Sequence, residues 1–173
     1  PTNFHPNFSR NMIAAVTGAS GHIGANLIRS LIEQKHEVRA LYHLNNRALK
    51  DLDITIIKGS LDNSEALNEL FTGADVAFHL AAQISIGHSD PRQILRTNVE
   101  GTRNVIEACR RAGVKRLVHF SSIHAMDPGQ PDEPMDETAP PSLNSSSSYE
   151  RTKALGEKLA IESAQSNGLE IVI

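Results

Sequence analysis

After Asn11 the chain alternates short apolar runs with segments of helical period. Met12-Ile13-Ala14-Ala15-Val16 is continuously apolar, the pattern of a strand buried on both faces. Ile23, Leu27, Ile28, Leu31 and Ile32 then recur with the spacing of an amphipathic helix. Further strands are expected at 37–42, 54–58, 76–80, 117–121 and 170–173, and helices near 64–71, 91–112 and 149–166. Strands separated by helices predict an α/β architecture, a parallel sheet with helices on both faces. Right-handed crossovers bring the C-terminal ends of such strands to one edge, where ligands bind. The stretch 127–148 breaks the alternation. Pro128, Pro131, Pro134, Pro140, Pro141 and the serines at 145 to 148 allow neither a helix nor a central strand there. A loop this long inside a domain is usually functional or mobile, and it is expected to border the substrate.

Candidate chemistry sits at the joints of this pattern. Thr17-Gly18-Ala19-Ser20-Gly21-His22-Ile23-Gly24 joins the first strand to the first helix with Gly-x-x-Gly-x-x-Gly spacing. Glycines permit a tight turn, and a first helical turn offers unpaired N–H groups to a pyrophosphate, so nucleotide binding is favoured over a plain connecting loop. The spacing has one more residue between the first two glycines than the general dinucleotide fingerprint Gly-x-Gly-x-x-Gly. Tyr149 and Lys153 stand a little over one helical turn apart and so share a helix face. A free phenol ionises near ~10, and a neighbouring ammonium favours the phenolate, which makes the pair an acid/base unit. Such a pair recurs by chance on many helices; its weight here comes from the glycine turn and from Phe120-Ser121-Ser122 upstream.

Taken in order, the glycine turn, His79-Leu80-Ala81-Ala82, Asn98-Val99-Glu100-Gly101-Thr102, Phe120-Ser121-Ser122 and Tyr149-x-x-x-Lys153 closely resemble the extended short-chain dehydrogenase/reductase superfamily. The nearest branch contains dihydroflavonol reductases, 3β-hydroxysteroid dehydrogenases and related proteins of the NAD-dependent epimerase/dehydratase family. This resemblance implies a Rossmann-type doubly wound sheet over 12–173, preceded by a tail at 1–11. It also implies a C-terminal substrate domain that relatives carry and this sequence lacks. By the same resemblance Tyr149 is the general acid that protonates a carbonyl oxygen, and the base in reverse. Lys153 supports the tyrosine and holds the nicotinamide ribose. Ser122 hydrogen-bonds the substrate oxygen, while Ser121 has the weaker claim because adjacent strand side chains point to opposite faces. Asn98 steadies the active-site helix and a proton-relay water; a buried amide satisfied by backbone is the other reading of that residue.

Cofactor contacts implied in this way are Gly18, Ser20, Gly21, His22, Ile23 and Gly24 at the pyrophosphate, Leu80, Ala81 and Ala82 beside it, and Ser60 and Leu61 at the adenine. Gly59-Ser60-Leu61-Asp62-Asn63 departs from the family's Gly-Asp-Leu-x-Asp in having Ser60 and Asn63 for the two aspartates. A neutral serine is a weaker partner for the adenine amino group. NAD-preferring relatives place a carboxylate at the end of the second strand. Tyr42 occupies that position here, with His43, Arg47 and Lys50 as nearby cations, so NADP is favoured over NAD.

Bulk properties narrow the rest. With 173 residues, 39% hydrophobic, and a net charge of −3, the chain suits one domain with a full core. Arg110-Arg111 and Lys115-Arg116 lie at a helix end and before a strand, where a solvated structural role outweighs nucleic-acid binding. Cys109 falls on an apolar helix face and reads as core, with no second cysteine to pair with. No apolar run approaches the roughly 20 residues of a membrane span, and the cytoplasm is the expected location. His22, His79, His119 and His124 lack ligand-like spacing, so no metal is expected. His79 reads as a structural strand histidine, and His124 stands out only by following Ser122 closely.

The expected activity is an NAD(P)-dependent oxidoreductase interconverting a hydroxyl and a carbonyl on a small organic substrate, in a chain that could also form a homodimer. A nucleotide-sugar epimerase or dehydratase using the same cofactor is one alternative. A catalytically silent NAD(P)-binding sensor or scaffold is another, against which the intact Ser122, Tyr149 and Lys153 argue.

Overall fold

β1 (Ile13–Thr17), β2 (Glu37–Tyr42), β3 (Thr55–Lys58), β4 (Val76–His79), β5 (Arg116–His119) and β6 (Glu170–Val172) form one parallel sheet. They lie in the order β3-β2-β1-β4-β5-β6. The computed structural model describes residues 11–84, 90–129, 134–165 and 168–173, so the tail expected at 1–11 lies outside it except for Asn11. The chain winds outward from β1 to β3, then crosses back to β4 on the other side of β1. That reversal opens a crevice at the strand ends, the switch point of a doubly wound sheet.

Alternation along the strands builds two cores. Ala14 and Val16 face α1 (His22–Glu33), whose Ile28 and Leu31 meet them together with Val38, Ala40 and Leu49. Ala15 faces the other way, into a cluster with Leu67, Phe71, Val105, Cys109, Leu117 and Ala160. That cluster is covered by α2 (Ser64–Phe71), α4 (Gly101–Ala112) and α5 (Ser148–Ala164). Cys109 is fully buried, and burial pushes its thiol up to about 12, which leaves it an inert core side chain. The basic cluster is structural: Arg110 donates to the Ser163 carbonyl at 2.6 Å and Arg116 pairs with Glu170 at 2.8 Å.

The helix expected over 91–112 is three pieces: α3 (Pro91–Leu95), a π-helical turn at Arg96–Glu100, and α4. Asn98 therefore sits in a widened turn and not in ordinary α-helix, a distortion that often marks functional positions. The strand expected to reach Ser121 ends at His119. Phe120 still donates its N–H to the His79 carbonyl, but its own carbonyl is taken by the Lys153 ammonium at 2.8 Å, and the ladder stops there.

Beneath the sheet's C-terminal edge runs a buried polar row. Thr17 Oγ1 lies 2.7 Å from His79 Nδ1, and His79 Nε2 lies 3.0 Å from Thr102 Oγ1, which confirms His79 as a structural histidine. Its neighbour His119, ring centroid 5.4 Å away, has no hydrogen-bond partner for either ring nitrogen among the described residues. Burial first, and the Lys153 charge second, lower His119 to about 4 from an ordinary 6.5. A histidine kept neutral in the fold contributes stability fully above 6.5 and loses it as pH falls towards 4, because the unfolded chain takes the proton first. That gap is worth on the order of 3 kcal/mol. Unfolding free energy should therefore drop across this window, to which the buried His79, also held well below its ordinary value, adds in the same direction, and His119→Phe should flatten part of the drop in denaturant titrations; an unchanged slope would contradict the assignment.

Candidate active site

A cleft of about 850 Å³ opens at the C-terminal ends of β1, β2, β3 and β4. Of the residues expected at a cofactor, Gly18, Ser20, Gly21, His43, Ser60, Leu61, Leu80, Ala81 and Ala82 line it. Arg47 and Lys50 do not: they are exposed residues at the start and just past the end of a 3₁₀ turn at Arg47–Leu49, outside the lining. His22, Ile23 and Gly24 form the first turn of α1 and are likewise outside the lining.

The start of this helix meets the cleft at its N-cap. α2 is capped by Asn63, α3 by Asp90 and α5 by Ser147, whereas no side chain caps α1. Its N-cap is Gly21, on the cleft wall, so the free amides of the first turn face the opening with the positive end of the helix dipole. The three glycines differ in what demands them. Gly18 has φ +68°, and a Cβ there would fall 2.5 Å from the Ala81 nitrogen. A Cβ on Gly24 would fall 2.4 Å from the Gly18 carbonyl oxygen. Gly21 has ordinary torsions, and its Cβ would come no closer than 3.2 Å to the protein. The first and last glycines serve the turn itself, and the middle one keeps the wall open. A pyrophosphate fits this cradle.

Asn63, which stands where the family has its second aspartate, caps α2: its Oδ1 accepts the Ala66 N–H at 2.6 Å. Asp62 lines the cleft instead and pairs with Arg96 at 2.9 Å, joining the β3 loop to the π turn across the rim. Arg96, Thr97 and Gln83 are lining residues that sequence reasoning did not single out. Adjacency of Arg96 and Thr97 to Asn98 was the available signal, but only the π turn rotates them into the cleft.

Ser122, Tyr149, Lys153 and Asn98 lie outside that lining, and of the four Asn98 is tied to it by hydrogen bonds, through Gln83. Asn98 is buried; its Oδ1 accepts the Gln83 N–H at 2.7 Å, and its Nδ2 donates to the Gln83 carbonyl at 3.0 Å and to Thr152 Oγ1 at 3.1 Å. It thus staples the cleft wall to α5, and α5 comes close because Gly156 lies against the Asn98 carbonyl, 2.8 Å from a would-be Cβ. Lys153 and Tyr149 both point at the segment after β5. The Lys153 ammonium sits on the Phe120 carbonyl, and its pKa is lowered by burial, with Glu157 opposing. The half-buried Tyr149 ring meets His124 edge-on, centroids 5.8 Å apart.

Ser121 donates to Glu157 and is thereby occupied. Ser122 caps the 3₁₀ turn at Ile123–Ala125 by accepting the His124 N–H at 3.2 Å. A hydroxyl that accepts there keeps its own hydrogen for donation. The loop after this turn folds back through the Met126–Pro141 bridge and the buried Ser142, which places part of the proline-rich stretch against the same segment. Among the described residues no group of three or more His, Cys, Asp and Glu is placed to hold a metal, and no helix is long and apolar enough to cross a membrane.

Comparison with known proteins gives a consistent picture. The profile of the NAD-dependent epimerase/dehydratase family matches residues 14–173. A putative dihydroflavonol 4-reductase of Synechocystis sp. is 35% identical over 161 residues, covering 91% of this chain and 46% of the relative. Among solved structures, a short-chain dehydrogenase/reductase superfamily protein from Agrobacterium tumefaciens with bound NAD superposes with a TM-score of 0.81 at 32% identity, over 93% of this chain and 48% of that one. The UDP-glucuronic acid 4-epimerase from Bacillus cereus in complex with NAD gives 0.82 at 25% identity, over 94% and 55%. The chain spans about half the length of the relatives it matches.

Proposed function

The chain belongs to the NAD-dependent epimerase/dehydratase family, and from that premise we propose that it is the cofactor-binding and acid/base part of an oxidoreductase that interconverts a hydroxyl and a carbonyl on a small organic substrate. The observation that carries this reading is the convergence on one segment. Ser122 with a free hydroxyl hydrogen, Tyr149, and the ammonium of Lys153 all meet the stretch from Phe120 to His124, beside a cleft walled by an uncapped helix N-terminus. When bound, a nicotinamide dinucleotide supplies a carrier for hydride. Gly21 and the first-turn amides of α1 would hold its pyrophosphate, Ser60 and Leu61 its adenine side, and Lys153 its nicotinamide ribose.

The chain's own residues then have separate tasks. Ser122 donates to the substrate oxygen and fixes it near the phenol. Tyr149 gives that oxygen a proton in reduction and takes one in oxidation. Lys153, positioned by the Phe120 carbonyl, supplies positive charge on the helix face it shares with Tyr149. Asn98 keeps α5 in register with the cleft through Thr152. The test is a screen of the full-length protein with NADH and NADPH against aliphatic, aromatic and alicyclic ketones. Cofactor consumption with product alcohol supports the reading. Conversion of nucleotide sugars with no net cofactor turnover would assign the epimerase chemistry instead.

Cofactor choice follows from the end of β2. Residues Tyr42, His43, Leu44 and Asn45 line the cleft there without a carboxylate to repel a 2′-phosphate, and His43 is the one among them whose side chain can donate a ring N–H to it. NADPH is therefore expected to bind more tightly than NADH at low salt, with His43→Ala narrowing the difference. Calorimetric titration of both nucleotides checks this; equal affinities, or tighter NADH, would remove the argument.

A further inference from the structure

We propose that His124, oriented by Glu150, is the proton-exchange partner of Tyr149, returning a proton from solvent to the phenol after each reduction. The inference rests on the reading of Tyr149 as the proton donor. The His124 ring lies edge-on to the Tyr149 ring at 5.8 Å between centroids. Its Nδ1 is 3.7 Å from Glu150 Oε1. The other carboxylate oxygen, Oε2, accepts the Ser145 hydroxyl at 2.5 Å, and the Glu150 N–H donates to Ser147 at 3.4 Å. The carboxylate is thus fixed from its far side, and a fixed carboxylate beside Nδ1 favours the proton there and leaves Nε2 to exchange. The His124 side chain is 55% exposed, so the imidazole is open to bulk water while its ring touches that of the half-buried Tyr149.

Both hydrogens of the Asn98 amide are taken, by the Gln83 carbonyl and by Thr152, and the Asn98 main-chain carbonyl accepts the Thr102 hydroxyl at 2.8 Å. The Asn98 side-chain hydrogens are thus committed within the protein, whereas the exposed His124 ring packs edge-on against the Tyr149 ring. Groups facing His124 are Tyr149 and Glu150 from α5 and Ser122 from its own turn.

The proton balance is simple. Reduction adds a hydride, supplied by the reduced nicotinamide, to the carbonyl carbon, and the Tyr149 O–H bond breaks to give the alcohol O–H. Tyrosinate then takes a proton from the His124 imidazolium, directly or through one water, and the imidazole regains one from solvent. In sum, one ketone, one reduced dinucleotide and one proton give an alcohol and the oxidised dinucleotide.

The test uses the full-length protein, the best ketone of the screen above, and a weak buffer. His124→Ala should lower kcat by about 10²-fold, the lower range for a positioned acid–base group, and added imidazole should restore most of it. Glu150→Gln should lower kcat less and respond less to imidazole. In the cofactor-free protein, imidazole ¹⁵N shifts should show the neutral ring protonated on Nδ1. Wild-type kcat in His124→Ala, a loss that imidazole does not repair, or a neutral ring protonated on Nε2 would each overturn the proposal. The parent reading is judged separately by Tyr149→Phe: if that variant is inactive while His124→Ala is not, only the relay fails, and if both are fully active the tyrosine assignment fails with it.

Discussion

Tyr149→Phe is expected to lower turnover of the full-length enzyme by about 10²–10⁴-fold while cofactor affinity stays near that of the parent. The substitution keeps the ring and its edge contact with His124 and deletes only the transferable proton. Lys153→Met should behave differently. Its ammonium anchors on the Phe120 carbonyl and is buried, so the methionine leaves that carbonyl without its donor and also removes the charge beside the phenol and the proposed ribose contact. Cofactor affinity and turnover should both fall. Steady-state rates and calorimetric titrations on the two variants separate these roles; near parental turnover in Tyr149→Phe refutes the mechanism, and loss of cofactor binding there makes the tyrosine structural.

Gly21→Val should abolish measurable dinucleotide binding and leave the fold intact. Torsions at Gly21 suit any residue, and the nearest protein atom to an added Cβ is the Gly18 carbonyl oxygen at 3.2 Å, so the protein itself can tolerate a side chain there with a small shift. The added methyls would instead stand on the cleft wall before the free amides of α1, where a pyrophosphate must approach. Gly18→Ala is the contrast. It must hold φ +68° with a Cβ, which costs about 1–2 kcal/mol on handedness alone, and it drives that Cβ into Ala81. Thermal unfolding should fall clearly for Gly18→Ala and little for Gly21→Val, while titration of NADH and NADPH should show the binding loss in Gly21→Val. Retained affinity there would mean that the glycine turn is not the phosphate site.

Much of this arrangement was legible in the chain because buried parallel strands write themselves as short apolar runs. β2 and α2 fall at the expected residues, and β1 is displaced by one. The glycine turn was readable because two of its glycines answer to local geometry. What escaped was set by contacts distant in sequence. β5 ends early because a lysine far along the chain takes its next carbonyl, and nothing in Phe120-Ser121-Ser122 says so. The π turn at Arg96–Glu100 has no composition signal, yet it turns Arg96 and Thr97 into the cleft and lets Asn98 reach Gln83 and Thr152. Asn63 was legible only as a departure from the family pattern, and its role as the cap of α2 appears in the structure. Arg47 and Lys50 carried the right charge but lie outside the lining, and only His43 of that group reaches it.

Hydride tracing tests the central claim most directly. Full-length enzyme would be incubated with reduced dinucleotide deuterated at the transferable position and with the ketone identified in the screen, and the product examined by mass spectrometry. The account predicts an alcohol carrying one deuterium at the former carbonyl carbon, formed in step with oxidised dinucleotide and nearly absent with Tyr149→Phe. Dinucleotide that binds but transfers no deuterium to any carbonyl would contradict it.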